Sequence, residues 1–292
     1  MHREFFLKRY KEIGGNIRNV QPRDSIRVNT SKISIEALAE RLSRKGVLFE
    51  KIQFCPNGLY YKSKFSLGST PEYLMGYYYL QEAASMLPVL ALSPSEKDLV
   101  LDMCAAPGSK TTQLSEAMGN RGEIIAVEKN PGRCESLKNN LERMGCANVT
   151  VLNDDVLNIN SDEIFDKILL DAPCSGNYAM DRDWFEKRNL PGIERNAVRQ
   201  KKLIEKAYSL LKKGGMLVYS TCSLEPEENE ESVMFALSLG LKLEDSGIKA
   251  VEPAVSGFDG KKFDRTMLLA RRLWPHKTGT SGFFIAKLRK KQ

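Results

Sequence analysis

Two cysteines of this sequence stand where a thiol can act as a nucleophile. Cys174 lies in the segment Asp171-Ala-Pro-Cys-Ser-Gly, so it shares its loop with a carboxylate, and Cys222 lies in the segment Ser-Thr-Cys-Ser. Each segment directly follows an apolar run of strand type. A thiolate at either place would form a covalent intermediate with its substrate. The alternative for each cysteine is an ordinary buried thiol, which is common in protein cores.

The chain offers few other groups for catalysis. His2 and His276 are the only histidines, so a Ser-His-Asp arrangement is not expected. The 6 cysteines include no Cys-x-x-Cys pair and no Cys/His cluster, so we predict no metal ion. The remaining cysteines are interpreted as packing thiols: Cys55, Cys104, Cys134 and Cys146.

A third loop of small residues runs from Asp102 to Lys110 in the sequence DMCAAPGSK. Small residues let the backbone approach a ligand closely, and the helix predicted after the loop presents unpaired N–H groups. The loop matches neither the Gly-x-Gly-x-x-Gly dinucleotide pattern nor a phosphate-binding loop. A simple strand-to-helix turn is the alternative. We predict cofactor contacts from Cys104, Ala105, Ala106, Pro107, Gly108, Ser109 and Lys110.

Two further carboxylates end the next two predicted strands. Glu128 is placed to hold the hydroxyls of a ribose, and Asp155 is placed to accept a hydrogen bond from an adenine amino group. A solvated surface glutamate and a turn-forming aspartate are the alternatives. Together with the loop, these residues predict a cofactor that contains adenosine, and none of them requires a pyrophosphate. Asp171 is expected to serve both the cofactor and the substrate.

The elements that position these loops follow a regular pattern from residue 99 onward. Strands alternate with helices of about 10–15 residues, which predicts an α/β fold with a mostly parallel sheet and helices on both faces. Ligands of such sheets bind outside the carboxyl ends of the strands, where all of these loops lie. The predicted strands span 99–103, 123–128, 149–153, 164–170, 216–221 and 282–288, and the predicted helices span 111–118, 131–144, 195–211 and 226–239.

Residues 1–70 differ from the rest in charge. The 292-residue chain has a net charge of +7, but residues 1–70 hold 14 basic and 6 acidic side chains, against 30 and 31 in the remainder. We predict here a small α+β module with strands at 25–30, 47–54 and 58–65 and a helix at 35–44. A helical linker at 71–98 and a catalytic domain at 99–292 follow. The surplus indicates a polyanion-binding module, with an accidental surface charge as the alternative.

Several classes of protein are excluded by composition. The hydrophobic share is 42% and the charged share 28%, as in globular chains. No segment approaches the roughly 18–20 apolar residues that a membrane span needs, and the first residues lack the apolar core of a secretory signal. We therefore expect a cytoplasmic protein without a membrane association. No obligate protein partner is evident.

The three loops resemble a known family. The segments DMCAAPGSKTT, DAPCSG and STCS-x-x-x-EENE, in this order, resemble the Nop/Sun family of S-adenosylmethionine-dependent RNA cytosine-5 methyltransferases. IRVNT resembles the small RNA-recognition module of the family, and GSTPEYLMGYYYLQEAASMLP resembles its linker. The resemblance covers most of the chain and implies a Rossmann-like domain, S-adenosyl-L-methionine as cofactor and an RNA substrate. The short architecture is most similar to archaeal enzymes that modify transfer RNA, with ribosomal RNA as the alternative.

The resemblance also implies roles for four residues. Cys222 is the attacking thiol, and Cys174 assists release of the product. Asp171 contacts the cytosine, and Lys110 stabilises developing charge. From the residues alone the two cysteines cannot be ranked. A non-catalytic RNA-binding factor and a nicotinamide-dependent dehydrogenase are competing interpretations, although the second would need pyrophosphate glycines that the loop lacks.

Some details carry further expectations. The family loop usually has glycine where Ser109 stands, which would be costly if this position needs a positive φ. A helix N-terminus near Pro226 would lower the pKa of Cys222, and the acidic run 225–231 is interpreted mainly as first-turn helix charge. Trp184 either clamps the base or anchors the core, and the role of His276 is left open. Charge reversal at Arg27 or Arg41 is expected to weaken RNA binding.

Overall fold

The first part of the chain forms an antiparallel sheet with a helix on one side. The computed structural model describes residues 2–17, 20–248 and 251–292. The elements of the first part are α1 (His2–Glu12), β1 (Ser25–Val28), α2 (Ile35–Ser43), β2 (Leu48–Lys51), β3 (Gly58–Lys62), α3 (Pro71–Leu74) and β4 (Tyr78–Leu80). The four strands lie in the order β2-β3-β1-β4. All of their pairings are antiparallel.

Helix α2 confirms the prediction made from its capping residue and its apolar spacing. The Ser34 side chain accepts a hydrogen bond from the backbone N–H of Ala37 at 3.2 Å. Leu38 and Leu42 are one helical turn apart and both are fully buried in the core of this sheet. The cap and the apolar stripe together hold the helix on the sheet.

Two elements of the first part were not predicted. Helix α1 buries Phe6 and Tyr10 against Trp184, far along the chain. Strand β4 lies inside residues 71–98, which were predicted as a helical linker, and it pairs with β1. Both elements depend on distant partners, so the local sequence pattern does not indicate them.

The second part contains the larger sheet. The strands of this sheet are β5 (Leu99–Asp102), β6 (Glu123–Val127), β7 (Val149–Leu152), β8 (Phe165–Asp171), β9 (Leu211–Thr221), β10 (Leu241–Glu244), β11 (Glu252–Pro253), β14 (Arg271–Leu273) and β15 (Phe283–Lys290), whereas β12 (Gly257–Phe258) and β13 (Lys261–Lys262) form a separate two-stranded sheet. Its helices are α4 (Leu87–Leu92), α5 (Ser109–Ala117), α6 (Pro131–Met144), α7 (Trp184–Lys187), α8 (Leu190–Leu210), α9 (Glu230–Ser238) and α10 (Pro275–Thr278).

The larger sheet confirms the predicted mostly parallel α/β fold. Strands β9, β8, β5, β6 and β7 lie side by side and run parallel. Strand β15 continues the sheet antiparallel to β9, followed by β14 and β11. Adjacent strand residues face opposite layers: Leu101 and Ile168 pack toward α8 and α9, whereas Val100 and Leu169 pack toward α4 and α5.

The bounds of two helices differ from the prediction in ways that affect the site. Helix α8 begins at Leu190 rather than Arg195, and the side chain of Asn189 accepts from the backbone N–H of Gly192 at 2.9 Å. Helix α9 begins at Glu230 rather than Pro226. The preceding residues form turns, because their side chains bind the neighbouring loops instead of continuing a helix.

Arg27 lies buried between the two parts of the chain. Its side chain is 1% exposed and donates to the Ser109 carbonyl at 2.6 Å and to Thr112 Oγ1 at 2.9 Å. Its Nε binds Glu116 Oε2 at 3.2 Å. The prediction that Arg27 contacts RNA is therefore wrong, because its charge is neutralised inside the protein.

Arg27→Gln is expected to destabilise the fold rather than to change RNA binding. Removing one partner of a buried ion pair leaves the other charge uncompensated, which costs about 3–5 kcal/mol. Urea denaturation measures this loss in free energy of unfolding. Arg44→Gln is the control, since Arg44 is 77% exposed and pairs with Glu40 on the surface, where such pairs contribute about 0–1 kcal/mol. Equal losses in the free energy of unfolding of Arg27→Gln and Arg44→Gln would contradict the assignment of Arg27 as a buried structural residue.

Membrane-spanning helices and metal-ligand clusters are both absent from the described residues. No helix among residues 2–17, 20–248 and 251–292 is long and apolar enough to span a membrane. The same residues contain no group of three or more His, Cys, Asp or Glu side chains arranged to hold a metal ion.

Candidate active site

The two cysteines singled out in the sequence meet at the carboxyl edge of the sheet. Strands β8 and β9 are parallel neighbours, with Asp171 opposite Ser220, so the loops that follow them lie side by side. The Sγ atoms of Cys174 and Cys222 are 3.3 Å apart, which is hydrogen-bond distance for two sulfurs. The hydrogen bond to Cys222 and burial raise the pKa of Cys174 well above its ordinary value. Cys174 is therefore a neutral thiol that can donate to the sulfur of Cys222.

A lysine and a carboxylate lie beside the thiols. Lys110 Nζ binds Asp171 Oδ2 at 2.8 Å, and the Ser220 hydroxyl donates to Asp171 Oδ1 at 2.8 Å. Burial is the largest single effect and lowers the pKa of the Lys110 ammonium, but the charge and hydrogen bond of Asp171 together with the charge of Asp102 raise it, and the net shift is upward. Lys110 Nζ also lies 5.7 Å from the ring centroid of Phe283 on β15. Lys110 thus stays charged, and the Asp171 carboxylate is held on both oxygens.

The loop after β5 is held between its neighbouring strands. The N–H of Met103 donates to the Leu169 carbonyl and the N–H of Ala105 donates to the Val127 carbonyl, both at 3.0 Å. The positive φ of +105° falls at Gly108, and Ser109 is the first residue of helix α5. The serine in place of the family glycine therefore carries no φ penalty.

Asp102, at the base of this loop, has an unsatisfied oxygen. Thr111 Oγ1 donates to Asp102 Oδ2 at 2.8 Å, whereas Oδ1 is buried and has no hydrogen-bond partner among the described residues. Burial raises the pKa of Asp102 to about 6. A buried acceptor without a donor fits a ligand that brings a donor group, such as an amino group.

Glu128 and Asp155 face one cavity, as predicted for a cofactor that contains adenosine. The cavity has a volume of about 210 Å³ and is also lined by Cys104 and Pro173. Glu128 Oε1 accepts from the backbone N–H of Asn130 at 2.8 Å, which holds the carboxylate at the end of β6. Carboxylates at two adjacent strand ends beside an apolar wall suit the hydroxyls and the base of a nucleoside.

The residues of the predicted cofactor loop do not all line this cavity. Cys104 does, and burial raises the pKa of its thiol, so it stays neutral. The side chains of Ala105 and Ala106 instead pack against Leu137 of α6. Any contact of these two alanines with a cofactor must therefore come from their backbone.

The acidic run after Cys222 is divided between a loop with buried carboxylates and the first turn of α9, which holds Glu230 and Glu231. Glu228 accepts from the Ser175 hydroxyl at 2.6 Å, and Glu230 pairs with Arg272 at 2.6 Å, with both side chains fully buried. Glu225 is buried as well and binds helix α1. The interpretation as first-turn helix charge is wrong for Glu225 and Glu228, because α9 starts only at Glu230. The predicted helix N-terminus at Pro226 beside Cys222 does not exist for the same reason.

Asn177 and Trp184 hold the cysteine loops in place. Asn177 was not predicted as a site residue, and Trp184 was left open between two roles. Asn177 Nδ2 donates to the Cys222 carbonyl at 2.7 Å and to the Gly282 carbonyl at 3.0 Å. Trp184 is fully buried and its Nε1 donates to the Ser175 carbonyl at 2.9 Å. Trp184 therefore anchors the core, and the only signal for Asn177 was its place directly after the DAPCSG segment.

The ring of His276, whose role was left open, lies with its centroid 6.0 Å from that of Trp274.

The fold and the site define a class of protein. A mostly parallel sheet with a cavity at its carboxyl edge is the arrangement of a Rossmann-like fold, and the similarities that follow make it that of an S-adenosylmethionine-dependent methyltransferase. A family model described as 16S rRNA methyltransferase RsmB/F matches residues 89–289, and one described as the N-terminal domain of 16S rRNA methyltransferase RsmF matches residues 5–83. The chain belongs to this RsmB/F (Nop/Sun) family of RNA cytosine-C5 methyltransferases.

Curated relatives differ in the RNA that their names give. The 28S rRNA (cytosine-C(5))-methyltransferase of Mus musculus is 39% identical over 276 residues, covering 91% of this chain and 35% of the relative. Ribosomal RNA small subunit methyltransferase F of Vibrio vulnificus is 38% identical, covering 98% and 64%. The tRNA (cytosine(72)-C(5))-methyltransferase of Pyrococcus horikoshii is 41% identical over 231 residues, covering 78% and 57%. The chain thus spans between a third and two thirds of the length of these relatives.

Solved structures match nearly the whole chain. A methyltransferase homolog protein from Pyrococcus horikoshii has a TM-score of 0.89 and 41% identity, covering 98% of this chain and 95% of that one. NSun6 from the same organism, solved with the S-adenosylmethionine analogue SFG, has a TM-score of 0.84 and 30% identity, covering 99% and 95%.

Glu128→Ala is expected to weaken binding of S-adenosylmethionine. A hydrogen bond to a charged group contributes about 1.5–3 kcal/mol, so the dissociation constant should rise about 10- to 100-fold. Isothermal titration calorimetry measures this change directly. Glu135→Ala is the matched control, because Glu135 lies on α6 and pairs with Lys138 on the surface. An unchanged affinity in Glu128→Ala would remove this residue from the cofactor site.

Proposed function

We propose that this protein methylates carbon 5 of a cytosine in transfer RNA, through a covalent bond between Cys222 and carbon 6 of the base. The observation that carries the proposal is the meeting of two thiols 3.3 Å apart beside the Lys110–Asp171 pair. This group lies at the same sheet edge as the cavity that holds Glu128 and Asp155. The nucleophile, the charged pair and the proposed cofactor site thus lie at one edge of the sheet.

The chemistry requires a nucleophile from the protein. Carbon 5 of cytosine is a weak nucleophile, and a bond from the Cys222 sulfur to carbon 6 converts the ring to an enamine that is electron-rich at carbon 5. S-adenosylmethionine supplies an electrophilic methyl group on its sulfonium. The cofactor cavity and the Asp102 oxygen provide the groups that hold it.

The charged pair stabilises the base while it is attacked. Addition of a thiolate places negative charge on the ring, which must be met at nitrogen 3 and the exocyclic amine. The Lys110 ammonium can meet this negative charge, and the Asp171 carboxylate, held in place by Lys110 and Ser220, can accept a hydrogen bond from the exocyclic amine. Such preorganised charge lowers the barrier because it needs no rearrangement during the reaction.

Release of the product needs a second group. Carbon 5 must lose its proton, and the electron pair left behind re-forms the double bond as the bond from carbon 6 to sulfur breaks. Cys174 is a neutral thiol at hydrogen-bond distance from Cys222. We assign both proton movements to Cys174: its thiol donates a proton to the departing Cys222 sulfur, and the Cys174 thiolate so formed accepts the proton from carbon 5.

The RNA is expected to bind across both parts of the chain. The first 70 residues carry the whole positive surplus, and cations such as Arg41, 50% exposed, and Arg44 lie on their surface. The target cytosine must be unstacked, because its reactive carbons are inaccessible within a helix. Transfer RNA is proposed because the chain resembles the Pyrococcus horikoshii enzyme named for it, and ribosomal RNA is the alternative because other relatives carry that name.

A methyl-transfer assay tests this proposal. The full chain is incubated with labelled S-adenosylmethionine and either the transfer RNA or the ribosomal RNA pool, and 5-methylcytosine is mapped by bisulfite sequencing. Label in the transfer RNA pool alone is expected. Label in the ribosomal RNA pool alone would show that the substrate is ribosomal RNA and not transfer RNA. Absence of 5-methylcytosine from both pools would favour a non-catalytic RNA-binding factor.

A further inference from the structure

We infer that helix α1 positions the loop that carries Cys222, through contacts of Arg9 and Tyr10 with Glu225. The inference rests on the proposed function, because Cys222 is the proposed nucleophile. It assigns Arg9 and Tyr10 as positioning residues. Helix α1 thereby helps to set the conformation of the active-site loop that carries Cys222.

The contacts between α1 and the loop are close and buried. The Tyr10 hydroxyl donates to Glu225 Oε1 at 2.6 Å, and Arg9 Nη2 donates to Glu225 Oε2 at 3.0 Å. Arg9 Nη2 also reaches both carboxylate oxygens of Glu227 at 2.7 Å. The Glu225 side chain is fully buried, so α1 supplies the groups that allow a charge to remain there.

Hydrogen bonds connect this contact to both cysteine loops. The N–H of Glu225 donates to Ser223 Oγ at 3.1 Å, and Ser223 directly follows Cys222. Ser223 Oγ lies 3.2 Å from Ser175 Oγ, and Ser175 directly follows Cys174. A displacement of Glu225 would therefore shift the loops of both thiols through the side chains of Ser223 and Ser175.

The helix stays docked by contacts that do not involve these polar groups. The Phe6 ring packs edge-on against Trp184, with centroids 4.7 Å apart, and Tyr10 packs against Trp184 and Trp274 with its ring. Loss of the Arg9 charge or of the Tyr10 hydroxyl leaves these apolar contacts in place. Variants that remove only the polar groups should thus fold with α1 in its position.

Glu225 depends on its partners for its charge. Burial raises the pKa of Glu225 to about 7, against the opposing effects of Arg9 and of the Tyr10 hydroxyl, with Glu227 adding to the rise. Without Arg9 the carboxyl group must take up a proton or move toward water. Either outcome changes the conformation of the loop that bears Cys222.

The test uses three full-length variants: Arg9→Gln, Tyr10→Phe and the control Lys8→Gln. Lys8 is an exposed cation on the same helix. The first two should lower the single-turnover rate of methyl transfer about 10- to 100-fold, since small displacements of reacting groups have effects of this size. Cofactor affinity and the Lys8→Gln rate should stay near wild type, whereas Arg9→Gln should also lower the melting temperature, because it leaves the buried Glu225 without its cation. Arg9→Lys should recover part of the rate.

A second readout does not require RNA. Alkylation of Cys222 by iodoacetamide, followed by peptide mass spectrometry, reports the exposure and charge of the thiol. Its rate should change in Arg9→Gln and Tyr10→Phe and not in Lys8→Gln. Glu225→Gln should change both rates as Arg9→Gln does, and combining the two substitutions should add little, because Arg9 acts on the loop through Glu225.

The outcomes separate this inference from the proposed function. If Arg9→Gln and Tyr10→Phe lower only the melting temperature and leave both rates equal to those of Lys8→Gln, α1 is merely structural and the inference is wrong. If the wild-type chain methylates no RNA, the proposed function fails. In that case the alkylation rates still show whether α1 positions Cys222.

Discussion

Cys222→Ala is expected to abolish methyl transfer and to leave no covalent complex with RNA. Without the sulfur, carbon 5 of the base is not activated, and loss of a catalytic nucleophile lowers rates by roughly 10⁴- to 10⁶-fold. Single-turnover transfer of labelled methyl groups measures the loss, and a denaturing gel detects the complex. Binding of S-adenosylmethionine should persist, because Cys222 does not line the Glu128 cavity.

The matched control for this variant is Cys146→Ala. Cys146 packs beside helix α6, away from the two thiols. It should methylate RNA at the wild-type rate. Retention of more than a small fraction of activity in Cys222→Ala would show that Cys222 is not the nucleophile.

Cys174→Ala is expected to accumulate a covalent protein–RNA complex. Methyl transfer to carbon 5 can still occur once Cys222 has added to the ring, but the proton on carbon 5 leaves slowly without the second thiol. Removal of a group that assists proton transfer lowers turnover by about 10²- to 10⁴-fold. The complex should appear as a denaturation-resistant band that carries the methyl label and increases with time.

The double variant Cys174→Ala/Cys222→Ala decides whether the band depends on Cys222. It should form no complex, since the trapped bond is made by the Cys222 sulfur. A band in Cys222→Ala and none in Cys174→Ala would exchange the roles of the two cysteines. Their geometry alone is compatible with that exchange, because the two sulfurs lie within 3.3 Å of each other.

The local elements around the site could be predicted from the sequence. Helix α6 lies at Pro131–Met144, the predicted span, because Asn130 caps it and Pro131 occupies its first position. The loops that carry Lys110, Cys174 and Cys222 were placed at strand ends from apolar runs followed by small residues. These elements could be predicted because each signal lies within a few neighbouring positions, which is the range over which residues determine local backbone conformation.

Only the tertiary structure decided which of these positions meet and which charges are buried. Arg9 and Glu225 are 216 positions apart, and no local pattern couples them. Arg27 has the sequence environment of a surface cation, yet Glu116 and the start of α5 enclose it. Glu225 and Glu228 of the acidic run after Cys222 bind side chains of distant elements, whereas Glu230 and Glu231 lie in the first turn of α9. The physical reason is that secondary structure follows from neighbouring residues, whereas burial and ion pairing depend on which distant elements the folded chain brings into contact.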